Sequence, residues 1–146
     1  MRWRYMLYVV GILVIFFGMT MLVPLPACFA YQDGATQALL LSLSITIVAG
    51  CSLFLAFRKA RASTITQREG MAIVAVGWTA VGIFGALPFY LSGDSWTVVD
   101  AVFESVSGFT TTGASVLTDI EALPRGLLLW RSFIQWLGGM GIIVLS

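Results

Sequence analysis

The sequence has 146 residues, of which 59% are hydrophobic and only 10% charged, with a formal net charge of +1 and a mean hydropathy of +0.95. Soluble domains carry roughly 25% charge, so a water-soluble globular fold is excluded and a membrane protein is expected. No basic face large enough to neutralise several phosphates interrupts the apolar runs, which sets nucleic acid aside as a partner. With no histidine and only Cys28 and Cys51, neither a Cys/His metal site nor a disulfide framework is expected.

Between Tyr5 and Gln32 there is no Asp, Glu, Lys or Arg, and the core of that run, Met6 to Val23, has the length needed to cross ~30 Å of hydrocarbon. It reads as a first spanning helix. The rival reading is a cleaved signal, with Arg2 and Arg4 as its basic end and "LPAC" at 25 to 28 as its cleavage site. Against it, the apolar stretch exceeds the usual ~7 to 15 residues of a signal core, and a proline before Ala27 fits poorly. Pro24, Pro26, Asp33 and Gly34 break the pattern, and Ala35 to Phe57 then forms a second spanning run closed by Arg58, Lys59 and Arg61. Thr66 and Glu69 have the spacing of a capping box, in which each side chain satisfies a backbone donor at a helix start. A third spanning helix follows over the uncharged stretch Gly70 to Gly93.

Six of the eight Lys and Arg residues, Arg2, Arg4, Arg58, Lys59, Arg61 and Arg68, fall in two short stretches, whereas 24 to 36 carries none. Both stretches are therefore expected to face the cytoplasm, with the amino terminus inside. Asp33, Asp94, Asp100, Asp119 and Glu121, five of the seven acids, then lie on or near the outside.

From Thr97 to Ser107 the pattern is helical but too short to span, and Gly108 is expected to stop it. Thr97 and Asp100 suit its start. The segment "FTTTGAS" after it has β-branched and glycine character, and "LTDIEALPRG" leads back to the surface before a last apolar helix from about Pro124 to Ser146. The order is helix, half-helix, polar return loop, helix. Irregular backbone survives at membrane depth only where protein encloses it or water borders it, because unpaired peptide groups in hydrocarbon cost several kcal/mol each. A half-helix entering from outside also aims the negative end of its dipole inward. Carbonyl oxygens of Thr110, Thr111, Thr112 and Gly113 could then replace the water around a weakly hydrated cation, with Gly113 supplying a backbone angle that side chains disfavour. The plainer alternative is an external hydroxyl-rich loop that satisfies only itself.

Glu104 and Arg131 are the charges expected inside the bilayer, either paired with each other or with Arg131 reaching to headgroups. Asp100 is a helix cap or a cation-gathering charge at the mouth. Gly138, Gly139 and Gly141 read as a close-packing face, and Trp3, Tyr5, Trp96 and Trp130, near helix ends, as an interfacial belt.

The stretches "DAVFESVSGFTTTGASVL" and "WRSFIQWLGGMGIIVLS", with two extra helices ahead of them, resemble the TrkH branch of the Trk, Ktr and HKT superfamily of potassium transporters. The resemblance implies four helix, pore-loop, helix repeats, of which this sequence holds the leading helix pair and most of the first. It carries potassium-facing carbonyls onto Thr111 and Thr112, with Gly113 as the filter glycine. It further implies a homodimer in a bacterial inner membrane, joined by a cytosolic nucleotide-binding regulatory subunit on the side of Arg58, Lys59 and Arg61.

The expected fold is thus an all-α polytopic membrane protein: residues 1–66 a helix pair and cytoplasmic loop, and 67–146 a first pore repeat. In that repeat, 70–92 spans, 97–108 is the pore half-helix, 109–117 the filter loop and 124–146 the second helix. The expected function is potassium transport without covalent chemistry, channel-like or coupled to another ion, since nothing resembling a nucleophile, base and ligand cluster lies in the apolar runs. The alternative is a non-catalytic membrane scaffold with no ion site.

Overall fold

The structure, a computed structural model, describes residues 3–32, 34–60, 65–93 and 95–145, with side chains as far as Gly141. Arg2, Asp33, Arg61 and Asp94 of the expected charge layout lie outside the described residues. Among those described there are six helices and no strand: α1 (Trp3–Thr20), α2 (Leu25–Tyr31), α3 (Ala35–Phe57), α4 (Gln67–Tyr90), α5 (Val98–Phe109) and α6 (Arg125–Leu145). By length and composition, three stretches can cross a membrane: α1 continued through α2, α3, and α4.

Local chemistry accounts for the helix starts. Thr66 and Glu69 close a reciprocal capping box at α4, and the Thr97 hydroxyl accepts from the Asp100 amide at α5 while donating to the Asp100 carboxylate. Thr97 is therefore the cap, and the Asp100 carboxylate holds its hydroxyl in place. At α2 the prolines expected to interrupt helix begin one instead. Pro24 is its N-cap and Pro26 sits in the first turn, where a missing N–H costs nothing because no intrahelical acceptor exists there.

α1 and α3 touch at backbone distance. A Cβ on Gly50 would come 2.9 Å from the Ile15 amide nitrogen, and one on Gly11 would come 2.9 Å from that of Phe54. Small residues at such crossings let two helices gain dispersion contact along their length. Buried Ser42 and Thr46 of α3 donate to the carbonyls four residues earlier, at 2.6 and 2.7 Å, and so need no partner on another helix for that bond. A second apolar cluster, including Phe17, Phe89, Phe109, Leu127, Trp130 and Ile134, joins α1, α4, α5 and α6.

The contacts also set direction. Gly11 lies against Phe54 and Gly18 against Ile47, so α1 and α3 are antiparallel; Leu13 lies against Gly77 and Phe17 against Gly85, so α1 and α4 are parallel. Along α5 and α6 the pairs Glu104 with Arg131, Gly108 with Ile134 and Phe109 with Gly138 ascend together. These consecutive helices run the same way. Residues 110–124 must consequently travel back along the length of α5.

Two of the tryptophans expected in an interfacial belt pack inside the protein. Trp130 is fully buried and donates its Nε1–H to the Gly85 carbonyl at 3.1 Å, and Trp96 is buried against Phe89 with ring centroids 5.3 Å apart. Both anchor the α4, α5 and α6 core, since an indole buries a large apolar area provided its N–H finds an acceptor. Trp3 is exposed. Gly108 also differs from its expected role as helix stop. It is helical and buried, with Ile134 so close that a Cβ would meet it at 2.8 Å.

Candidate functional site

α5 ends in a tight turn built from its own last carbonyls. The amides of Thr110 and Thr111 donate to Val106 and Gly108 (both 2.9 Å), and those of Thr112 and Gly113 both donate to Ser107, at 3.0 and 3.4 Å. Such bonds satisfy the acceptors that every helix leaves unpaired at its end. They also turn four consecutive N–H groups toward α5. Among the described residues no hydrogen bond ends on the carbonyls of Thr110, Thr111, Thr112 or Gly113.

This geometry needs left-handed backbone, at Gly113 (φ 75°) and, more unusually, at Thr111 (φ 57°). For a β-branched residue that conformation costs on the order of 1–2 kcal/mol, so the surroundings must hold it. The hydroxyls of Thr110 and Thr112 bond to each other at 2.8 Å, and Thr110 also reaches the Val106 carbonyl at 2.8 Å. The turn is braced from within.

The return limb is held by α5. The Ser107 hydroxyl donates to the Ala114 carbonyl at 2.6 Å. The Glu104 carboxylate, 1% exposed, accepts from the Ser115 hydroxyl (2.9 and 3.1 Å), the Val116 amide (3.3 Å) and Nε of Arg131. One carboxylate thereby joins the half-length helix, the returning chain and α6. Its ion pair with Arg131 is made in the protein interior, where the Arg131 side chain is 17% exposed. A buried pair gains little over apolar packing, but losing one partner strands the other charge.

α6 supplies the back wall. Arg131, Ile134 and Gly138 recur at helical spacing and face Glu104, Gly108 and Phe109 in turn. A Cβ on Gly138 would fall on the Phe109 carbonyl, and one on Gly139 would stand 3.7 Å from the Thr111 methyl. Gly138 admits the end of α5 itself, whereas Gly139 would tolerate a methyl. The six residues singled out from sequence, Thr110, Thr111, Thr112, Gly113, Glu104 and Arg131, thus share one unit, with the threonines and Gly113 exposed and Glu104 behind them. Ser107, Ser115, Gly85 and Trp130 were not among them. A pattern of two serines seven or more residues apart acquires meaning only once the chain is known to double back.

Among the described residues no three His, Cys, Asp or Glu converge as a metal would require. The oxygens on offer are peptide carbonyls and hydroxyls, the donor set suited to a weakly hydrated monovalent cation.

Similarity to known proteins extends along the whole chain. The chain is 44% identical over its whole length to the Trk system potassium uptake protein TrkH of Halomonas elongata, and 42% identical to its counterpart in Escherichia coli K12. In both cases it spans 30% of the relative's length. The crystal structure of the potassium transporter TrkH from Vibrio parahaemolyticus matches 99% of the chain with a TM-score of 0.90 at 38% identity, covering 31% of that protein. The family profile TrkH, described as "Cation transport protein", matches residues 35–146. A helical membrane protein with this turn, and with relatives of this kind along its whole length, belongs to the TrkH family of cation transport proteins.

Proposed function

We propose that this chain carries potassium through a membrane by contributing one wall of a selectivity filter, in which the carbonyls of Thr111, Thr112 and Gly113 substitute for the ion's hydration shell. The observation that carries the reading is the row of unengaged oxygens from Thr110 to Gly113, set opposite amides that are all bonded back to α5. Oxygens already committed to hydrogen bonds would have to be released before binding an ion. These need no release.

In this reading α5 re-enters the membrane from outside and 110–124 returns to the same face, which the parallel course of α5 and α6 supports. The carbonyl end of α5 adds negative potential at the turn. The basic residues Arg58, Lys59 and Arg68 face the cytoplasm of a bacterial cell, beside a nucleotide-binding regulatory subunit, and two copies of the transporter associate. Residues 1–66 brace the pore unit, and 67–146 form the first of four such repeats. The named relatives, which are potassium uptake proteins, support the cargo.

Uptake of potassium by cells lacking their own systems tests the reading. The full chain is expected to restore growth at low potassium, and Gly113→Asp, which forces a charged side chain onto left-handed backbone beside the oxygens, to abolish it at equal membrane abundance. Equal rescue by both would remove the filter assignment and leave a scaffold.

A further inference from the structure

Ser107 lies in the last turn of α5, 6% exposed, and holds the loop in two chemically separable ways. Its carbonyl accepts the Thr112 and Gly113 amides, bonds that any side chain would preserve. Its hydroxyl donates to the Ala114 carbonyl at 2.6 Å, a bond that only a side-chain donor can make. The hydroxyl therefore does two things to the oxygens of the turn. It ends the unengaged row at Gly113 by retaining the next oxygen, and it fixes the returning limb against α5.

We propose that Ser107 is a specificity-determining positioning residue: its hydroxyl sets the number and spacing of the oxygens that the Thr111 to Gly113 turn presents to a cation. The inference rests on the filter reading above. Selection between monovalent cations depends on how many carbonyl dipoles surround the ion and how firmly their separation is held. Without the hydroxyl, Ala114 oxygen is free to rotate into the row and the limb to relax inward. Inward relaxation shortens the oxygen separations and favours a smaller cation, and a row whose oxygen count is no longer fixed discriminates less. Glu104 secures the same limb one residue further on through Ser115, so the loop keeps a second attachment when Ser107 is altered.

The test uses the full chain in uptake-deficient cells, with potassium, rubidium and sodium influx measured alongside membrane abundance. Ser107→Ala is expected to retain potassium influx while lowering the potassium-to-sodium ratio about five- to tenfold, the scale of one neutral hydrogen bond. Ser107→Thr, which restores a hydroxyl, is expected to return the ratio to within about twofold of wild type, a rescue that a purely structural role would not require. An unchanged ratio in Ser107→Ala overturns the proposal, as does a threonine variant that is as unselective as alanine. Should the alanine variant fail to accumulate, Ser107→Cys, a weaker donor of similar size, is read in its place: a ratio lowered about threefold supports the proposal and an unchanged ratio overturns it. Gly113→Ala measured in parallel separates the two readings. If it alters selectivity and the Ser107 variants do not, Ser107 loses its role and the filter stands; if neither does, both fall.

Discussion

The contact between α1 and α3 and the contact between α5, its return loop and α6 both bring backbones close, by opposite means. The first uses the absence of side chains: Gly11 and Gly50 let two apolar helices meet, and the buried hydroxyls between them turn back onto their own helix. The second uses directed bonds. Glu104, Ser107, Ser115 and Arg131 tie three segments together, and only then does Gly138 admit the Phe109 carbonyl. Packing of the first kind tolerates sliding, because dispersion contacts are weakly directional. A network of the second kind holds a particular register, which a turn with left-handed Thr111 requires.

The largest effect should come from breaking the network at its charged centre. Arg131→Met leaves Glu104 buried and unpaired, at a cost of about 3–5 kcal/mol. Thermal unfolding in detergent is expected to show that loss, and the further change Glu104→Gln to recover much of it, because no stranded carboxylate then remains. Strict additivity of the two substitutions would show that the pair does not act as a unit.

Glycine substitutions come next and set the two regions directly against each other. Gly138→Ala pushes a methyl into the Phe109 carbonyl and should cost about 3 kcal/mol, while Gly50→Ala pushes one against Ile15 and should cost about 1–2 kcal/mol, part of each being offset by the helix preference for alanine. Their functional signatures should diverge. Gly138→Ala displaces the end of α5 and is expected to lower potassium influx per molecule, whereas Gly50→Ala lowers abundance alone. Gly70→Ala, with nothing within 4 Å, is the control: it should match wild type in influx per molecule and, with the helix preference for alanine unopposed, be no less stable.

How far each region was legible follows from the same contrast. Apolar runs closed at one end by arginines, a capping box and a half-length helix are local patterns, so α3, α4 and α5 could be drawn from residue order. The pairing of Glu104 with Arg131 was also accessible, because two charges isolated in apolar sequence have few other destinations. Partners chosen by tertiary register were not. Ser107 and Ser115 look like any loop serines until the chain is seen to reverse, and Trp130 looks like a lipid anchor until the Gly85 carbonyl is found beneath it. Glycine proved ambiguous in both directions. Gly113 is left-handed as its place suggested, but so is Thr111, whose hydroxylated neighbours brace it, while Gly108, which reads as a helix stop, is kept bare by Ile134. Pro24 and Pro26 were read as helix breakers, and a proline in a first turn is indistinguishable by type from one that ends a helix.

The smallest effect discriminates most finely, because it compares two serines of one helix. Ser105 and Ser107 are both buried in α5, but among the described residues the Ser105 hydroxyl is the one buried side-chain oxygen or nitrogen without a hydrogen-bond partner. It sits where α5 crosses α4, close enough to Gly85 that a Cβ there would meet it at 2.6 Å. Removing a desolvated hydroxyl that makes no bond recovers its burial cost and leaves only a small void, so Ser105→Ala should shift stability by less than about 1 kcal/mol and in the stabilising direction. Ser107→Ala removes a made bond and should destabilise by about 1 kcal/mol. Melting temperatures of the two variants, measured side by side, are expected to fall on opposite sides of wild type. If Ser105→Ala proved the more damaging, the crossing of α4 and α5 would depend on that hydroxyl, and the boundary drawn between bond-held and contact-held regions would run through α5 itself.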